Sequence, residues 1–93
     1  MGDWHDWTEC DDIIALYVYK YGTAQIGLSH NAIAAQIGTT SDGLTMRVSN
    51  FRSLETGTGL SHVAQLTRSV LTDYGSLPEP ELRAKAKKCL SME

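Results

Sequence analysis

Few side chains in this sequence could do metal or nucleophile chemistry, and their spacing is wrong for it. The three histidines, His5, His30 and His62, do not stand at ligand spacing from one another or from a cysteine. Asp3, Asp6, Asp11 and Asp12 crowd the start of the chain, but they lack the loop spacing and the glycine of a calcium-binding loop. They read as solvated acids favoured by the positive end of a helix dipole. Gly57-Thr58-Gly59 lacks the Gly-Lys-Ser/Thr ending of a phosphate loop. Cys10 and Cys89 sit near opposite ends with no Cys-x-x-Cys pairing. They read as small, partly buried apolar side chains, with a disulfide between them left open. No nucleophile is placed beside a base, so the sequence predicts no catalytic residue, no metal ligand, no cofactor and no enzymatic activity.

Recognition chemistry is better represented. The run Ile33-Ala34-Ala35-Gln36-Ile37-Gly38-Thr39-Thr40-Ser41-Asp42-Gly43-Leu44 has the form of two short helices joined by a glycine-containing turn. Ala34 is small enough for a second helix to cross closely. Gly38 permits the left-handed backbone of the turn, and Thr40 or Ser41 supplies the cap of the second helix. Ile33, Leu44 and Val48 would lock the pair. If the second helix enters a major groove, Ser41, Asp42, Thr45, Met46 and Ser49 meet base edges, with Asn50 at the margin. Serine and threonine hydroxyls suit several bases, and asparagine suits adenine. Arg47 and Arg52 would reach phosphates, fixing register without reading sequence. Asp42 is repelled there unless it accepts from a cytosine amino group. The same corner also serves as plain architecture in helical bundles.

Five helices must position these residues. The first runs from about Glu9 to Tyr21, capped by Thr8, with Asp11 completing a short capping box and Gly22 ending it. Ile13, Leu16, Tyr17 and Tyr21 share its inward face. Residues 23–28 connect to a second helix, roughly His30 to Ile37, capped by Ser29. The third spans about Asp42 to Leu54, with Leu44, Val48 and Phe51 on one face. Ser61 would cap a fourth, about His62 to Tyr74, facing inward through Val63, Leu66, Val70 and Leu71. Pro78 and Pro80 suit the opening turn of a fifth, which runs to about Leu90 on a thin stripe of Leu82, Ala86 and Leu90. Glu81 and Lys85 are spaced as a favourable helical pair. Trp7 belongs to the core, against the first and third helices, and Trp4 to a tail.

These elements give an all-α fold, a small bundle of about five helices around a helix-turn-helix core. One domain covers residues 1–93: an acidic tail (1–7), the three-helix core (8–54), a fourth helix (61–74) and a C-terminal helix (78–91). The net charge of −3 argues against a purely electrostatic nucleic-acid binder. The acidity is concentrated in residues 1–12, however, and residues 13–72 are net positive. The longest apolar run, Ile13 to Tyr19, is too short to cross a bilayer. The acidic start is neither a signal nor a transit peptide, and Asp6 breaks a myristoylation pattern. The expected location is the cytoplasm, without membrane association.

Trp7-Thr8-Glu9, Ala15-Leu16-Tyr17, the Gly38 turn, Met46-Arg47-Val48-Ser49-Asn50-Phe51 with Leu54, and Gly59-Leu60 together resemble the small helical domain at the N-terminus of bacterial HNH-type endonucleases. There is a more distant similarity to Myb/SANT-like modules. The resemblance covers residues 7 to 74 and is most specific at Met46 to Phe51. It implies DNA contact through the helix-turn-helix. The nuclease it also implies is missing, because the sequence stops at Glu93, as a stand-alone relative or an excised fragment would. The expectation is therefore a non-catalytic DNA-binding regulator or targeting module with duplex DNA as partner. The alternative is a small phage or mobile-element protein that binds and inhibits a host defence complex or other protein assembly. The stripe on the fifth helix also suggests a homodimer through residues 78–91.

Overall fold

The computed structural model describes residues 6–57 and 65–91. They form α1 (Glu9–Tyr21), α2 (His30–Ile37), α3 (Ser41–Thr56), α4 (Gln65–Tyr74) and α5 (Glu79–Cys89). The protein is all-α, and no strand occurs among the described residues. Trp4, His5, Thr58, Gly59, Leu60, Ser61, His62 and Val63, with the expected cap of α4, lie outside the described residues.

Local chemistry sets the helix ends. Thr8 accepts from the Asp11 N–H at 3.1 Å while the Asp11 carboxylate accepts from the Thr8 N–H at 3.3 Å, so the capping box is complete. Ser29 caps α2 through the Ala32 N–H. Of the two candidate caps for α3 it is Thr40 that acts, accepting from the Gly43 N–H at 3.0 Å. α3 continues two residues beyond the expected Leu54, to Thr56, where Gly57 takes a left-handed conformation with φ 73°.

The core gathers Ile13, Ile14, Leu16 and Tyr17 of α1, Ile33 and Ala34 of α2, Leu44 and Phe51 of α3, Val70 of α4, and Leu82, Ala86 and Leu90. Ile26 joins it from the connection after α1, at 2% exposure. The spacing within residues 23–28 does not mark Ile26 as inward-facing, but the Thr23 carbonyl accepts from the N–H groups of both Ile26 and Gly27, which folds Ile26 inward. Tyr21, expected inside, is 39% exposed. It is the last residue of α1, where the covering layer ends, and it rests against Tyr17 with ring centroids 5.1 Å apart.

α1 is the axis of the bundle. α3 runs alongside it in the same direction, since Arg47 meets Asp12 near one end and Glu55 meets Tyr19 near the other. α5 runs the opposite way. Tyr17 donates to Glu79 at one end, and Cys10 is bonded to Cys89 at the other, with Cα atoms 5.4 Å apart. The cysteines are thus a disulfide, not two small apolar side chains. The antiparallel packing brings positions 79 residues apart into reach, which spacing along the chain does not reveal. The pair expected at Glu81 and Lys85 is replaced by Glu79–Arg83 at 3.5 Å, with Lys85 lying over the Tyr74 ring. Leu82, Ala86 and Leu90 are all within 2% of full burial. A homodimer through residues 78–91 would have to use the other, charged side of α5.

Candidate nucleic-acid interface

The α2–α3 corner has the expected build. Gly38 takes φ 101° and ψ 20°, and its N–H reaches the carbonyls of Ala34 and Ala35. Thr39 N–H also returns to the Ala34 carbonyl at 2.9 Å, which closes the end of α2 and turns the chain into α3. His30 braces the corner from across the turn. Its Nε2 lies 3.1 Å from the Ser41 carbonyl and 3.2 Å from the Thr45 hydroxyl, and Thr45 itself donates to the Ser41 carbonyl at 3.0 Å. His30 is therefore a positioning residue for the first turn of α3.

The eight residues singled out from the sequence divide between two faces of α3. Asp42, Thr45, Met46 and Arg52 are exposed, and Ser41, Ser49 and Asn50 are half-buried at the margin. Met46 is the most open of the large apolar side chains, at 57%. This outer face is polar and close to neutral, with Asp42 opposing Arg52.

Arg47 does not belong to that face. Its Nε donates to Asp12 Oδ1 at 2.6 Å and its Nη2 to Asp12 Oδ2 at 2.7 Å, a two-pronged pair inside the bundle. The side chains are 12% and 0% exposed. The Trp7 ring lies against the guanidinium, 4.8 Å from its centre, and Thr67 of α4 donates to the Asp12 carboxylate at 3.5 Å. Four segments converge on this ion pair. Held there, the Arg47 guanidinium is not available to a phosphate, which corrects the role expected of it. Asp12 is likewise no solvated acid. Both placements were legible in principle: Asp12 stands four residues before Leu16, and Arg47 four before Phe51, on faces that are otherwise apolar. Two charges on facing apolar stripes imply each other.

Beside the far end of α3, Tyr19 donates to Glu55 at 2.8 Å and stacks on Phe51. Burial first, then the bond to Glu55, raise the Tyr19 hydroxyl above its ordinary pKa, while Arg52 works in the opposite direction. Arg52 is thus near Tyr19 and Glu55 but stays exposed. No group of three or more His, Cys, Asp or Glu that could hold a metal ion occurs among the described residues, and no helix among them is long and apolar enough to cross a membrane.

No protein-family model matches this chain, and neither the curated proteins nor the solved structures give a match.

Proposed function

We propose that this chain is a non-catalytic helix-turn-helix module that presents the outer face of α3 to duplex DNA. The observation that carries the reading is the capped, Gly38-turned corner, which presents a helix face with the hydrogen-bonding side chains Ser49 and Asn50 at its margin, flanked by Arg52, beside Thr45, whose hydroxyl is engaged within the corner. Side chains of that kind read base edges. The resemblance at Met46 to Phe51 points the same way. With Arg47 committed to Asp12, Arg52 is the cation that α3 itself offers to phosphates. Each phosphate contact contributes roughly one unit to the salt dependence, so binding by this chain is weak and its salt dependence shallow. That profile fits a regulator or targeting module acting with other contacts. The test is mapping of backbone amide chemical shifts while a short duplex is added at low salt. Shifts confined to Thr45 through Arg52 are expected. An unperturbed α3 at saturating duplex would overturn the reading.

A second reading rests on its own observation. Met46 stands 57% exposed in the middle of a nearly neutral face, and unpaired apolar surface rimmed by polar groups suits a protein partner. On this reading the same corner docks on a protein complex and inhibits it. Loss of that binding in Met46→Asp, with DNA binding absent throughout, is its expected signature.

A further inference from the structure

We infer that the Cys10–Cys89 disulfide is a redox-controlled clamp on α5, and that opening it releases α5 while the core of α1, α2 and α3 stays folded.

Among the described residues α5 is the helix packed most extensively on α1, and it rests there on a narrow apolar stripe. Of the eleven residues of α5, six are charged, and only Leu82 and Ala86, with Leu90 just beyond, are fully buried. A helix this short does not persist in water without packing. Its remaining ties are polar contacts at the surface: Arg83 to the Gln25 side chain at 3.0 Å, Gln36 to the Leu90 carbonyl at 3.2 Å, and Lys85 over the Tyr74 ring at 5.7 Å. Interactions of that kind are worth little individually. The acids Glu9 and Asp11 of α1 lie at the clamped end with Lys87 and Lys88 of α5, a favourable field that salt screens. The Tyr17–Glu79 bond holds the opposite end. The bundle thus has a covalent tie at one end of the α1–α5 pair and a single side-chain hydrogen bond at the other. α1, α2 and α3 meanwhile contribute Ile13, Ile14, Leu16, Ile33, Leu44 and Phe51 to the core that Leu82, Ala86 and Leu90 complete.

The bond is within reach of a reductant, since Cys10 is exposed and Cys89 half-buried. A thiolate of a small dithiol attacks one sulfur, forms a mixed disulfide and expels the other cysteine as a thiolate. The second thiolate of the reductant then displaces the remaining cysteine. The cystine gains two electrons and two protons, and the dithiol leaves as a disulfide. Freed, α5 uncovers the row of α1 marked by Cys10 and Tyr17.

Amide hydrogen exchange tests the clamp on the full chain in three states: oxidised, reduced by a dithiol, and as Cys10→Ser/Cys89→Ser. On reduction the amides from Leu82 to Leu90 should exchange roughly a hundredfold faster, as loss of a long-range crosslink implies for a segment that opens locally. Amides of Ile14, Leu16 and Phe51 should hold their protection, the serine variant should match the reduced protein, and reoxidation should restore the original pattern. Unchanged protection of α5 after reduction would overturn the inference. So would joint loss of α5 and the α1–α3 core, which would make the bond a staple for the whole fold.

Discussion

Arg47 and Arg52 stand on the same helix, and their surroundings differ in nearly every respect. Arg47 is held by both oxygens of a buried carboxylate, with an indole ring against its guanidinium. Arg52 is exposed at the flank of α3, near Tyr19 and Glu55. The first ties α3 to α1 and, through Asp12 and Thr67, to α4. The second is free to meet a partner. A basic residue on the second helix of such a corner is therefore not a nucleic-acid contact by type. The phase of the helix decides, because a cation on the apolar side must find a carboxylate or carry a large desolvation cost.

The sharpest way to break this contrast is to remove one partner of the buried pair. Asp12→Ala or Arg47→Ala leaves an uncompensated charge in the core and should cost about 3–5 kcal/mol in denaturant unfolding. Asp12→Leu combined with Arg47→Leu should recover most of that loss, since replacing both charges by apolar groups is often close to neutral. Equal destabilisation by the single and double variants would show that the pair is not what links the helices.

A smaller effect is expected at the corner that displays the outer face. Gly38→Ala forces a side chain into a left-handed conformation, φ 101°, and should lower stability by about 1–2 kcal/mol. The helix content should survive and the α2–α3 angle should loosen, visible as shift changes at His30 and Thr45.

Tyr17 offers a pH test that leaves neutral solution untouched. Burial, then the bond to Glu79 and its negative charge, push the hydroxyl from 10.0 up to about 12. A raised pKa means that the folded state favours the neutral phenol. The contribution is fully present below 10.0 and is lost as pH rises toward about 12. Spectrophotometric titration should show a last tyrosine step, beyond that of the raised Tyr19, which accompanies unfolding, and Tyr17→Phe should remove that last step. The smallest effect belongs to Arg52→Ala, which should change stability by under about 0.5 kcal/mol.

Much of the fold was readable along the chain because its determinants are local. Thr8 with Asp11, Ser29, Gly38 and Pro78 with Pro80 mark helix ends through bonds spanning a few residues, and the spacing of Leu44, Val48 and Phe51 or of Leu82, Ala86 and Leu90 marks the buried faces. The features that the chain does not show locally are long-range. The Cys10–Cys89 bond depends on α5 running antiparallel to α1, and Ile26 turns inward through a backbone bond in a loop with no periodicity. His30 gains its role only from the crossing of α2 and α3. In the candidate interface, the outer face of α3 is legible from helical phase, whereas the role of Arg47 follows from that same phase and not from its residue type.

The measurement that bears most directly on the account is a fluorescence-anisotropy titration of labelled duplex DNA at several salt concentrations. It should compare the wild type, Arg52→Ala and the Asp12→Leu/Arg47→Leu variant. Weak binding is expected, with a salt slope of about −1 to −2, weakened and flattened by Arg52→Ala and unchanged in the double leucine variant. Absence of binding at the lowest salt, or its loss in a folded double variant with Arg52 intact, would contradict it.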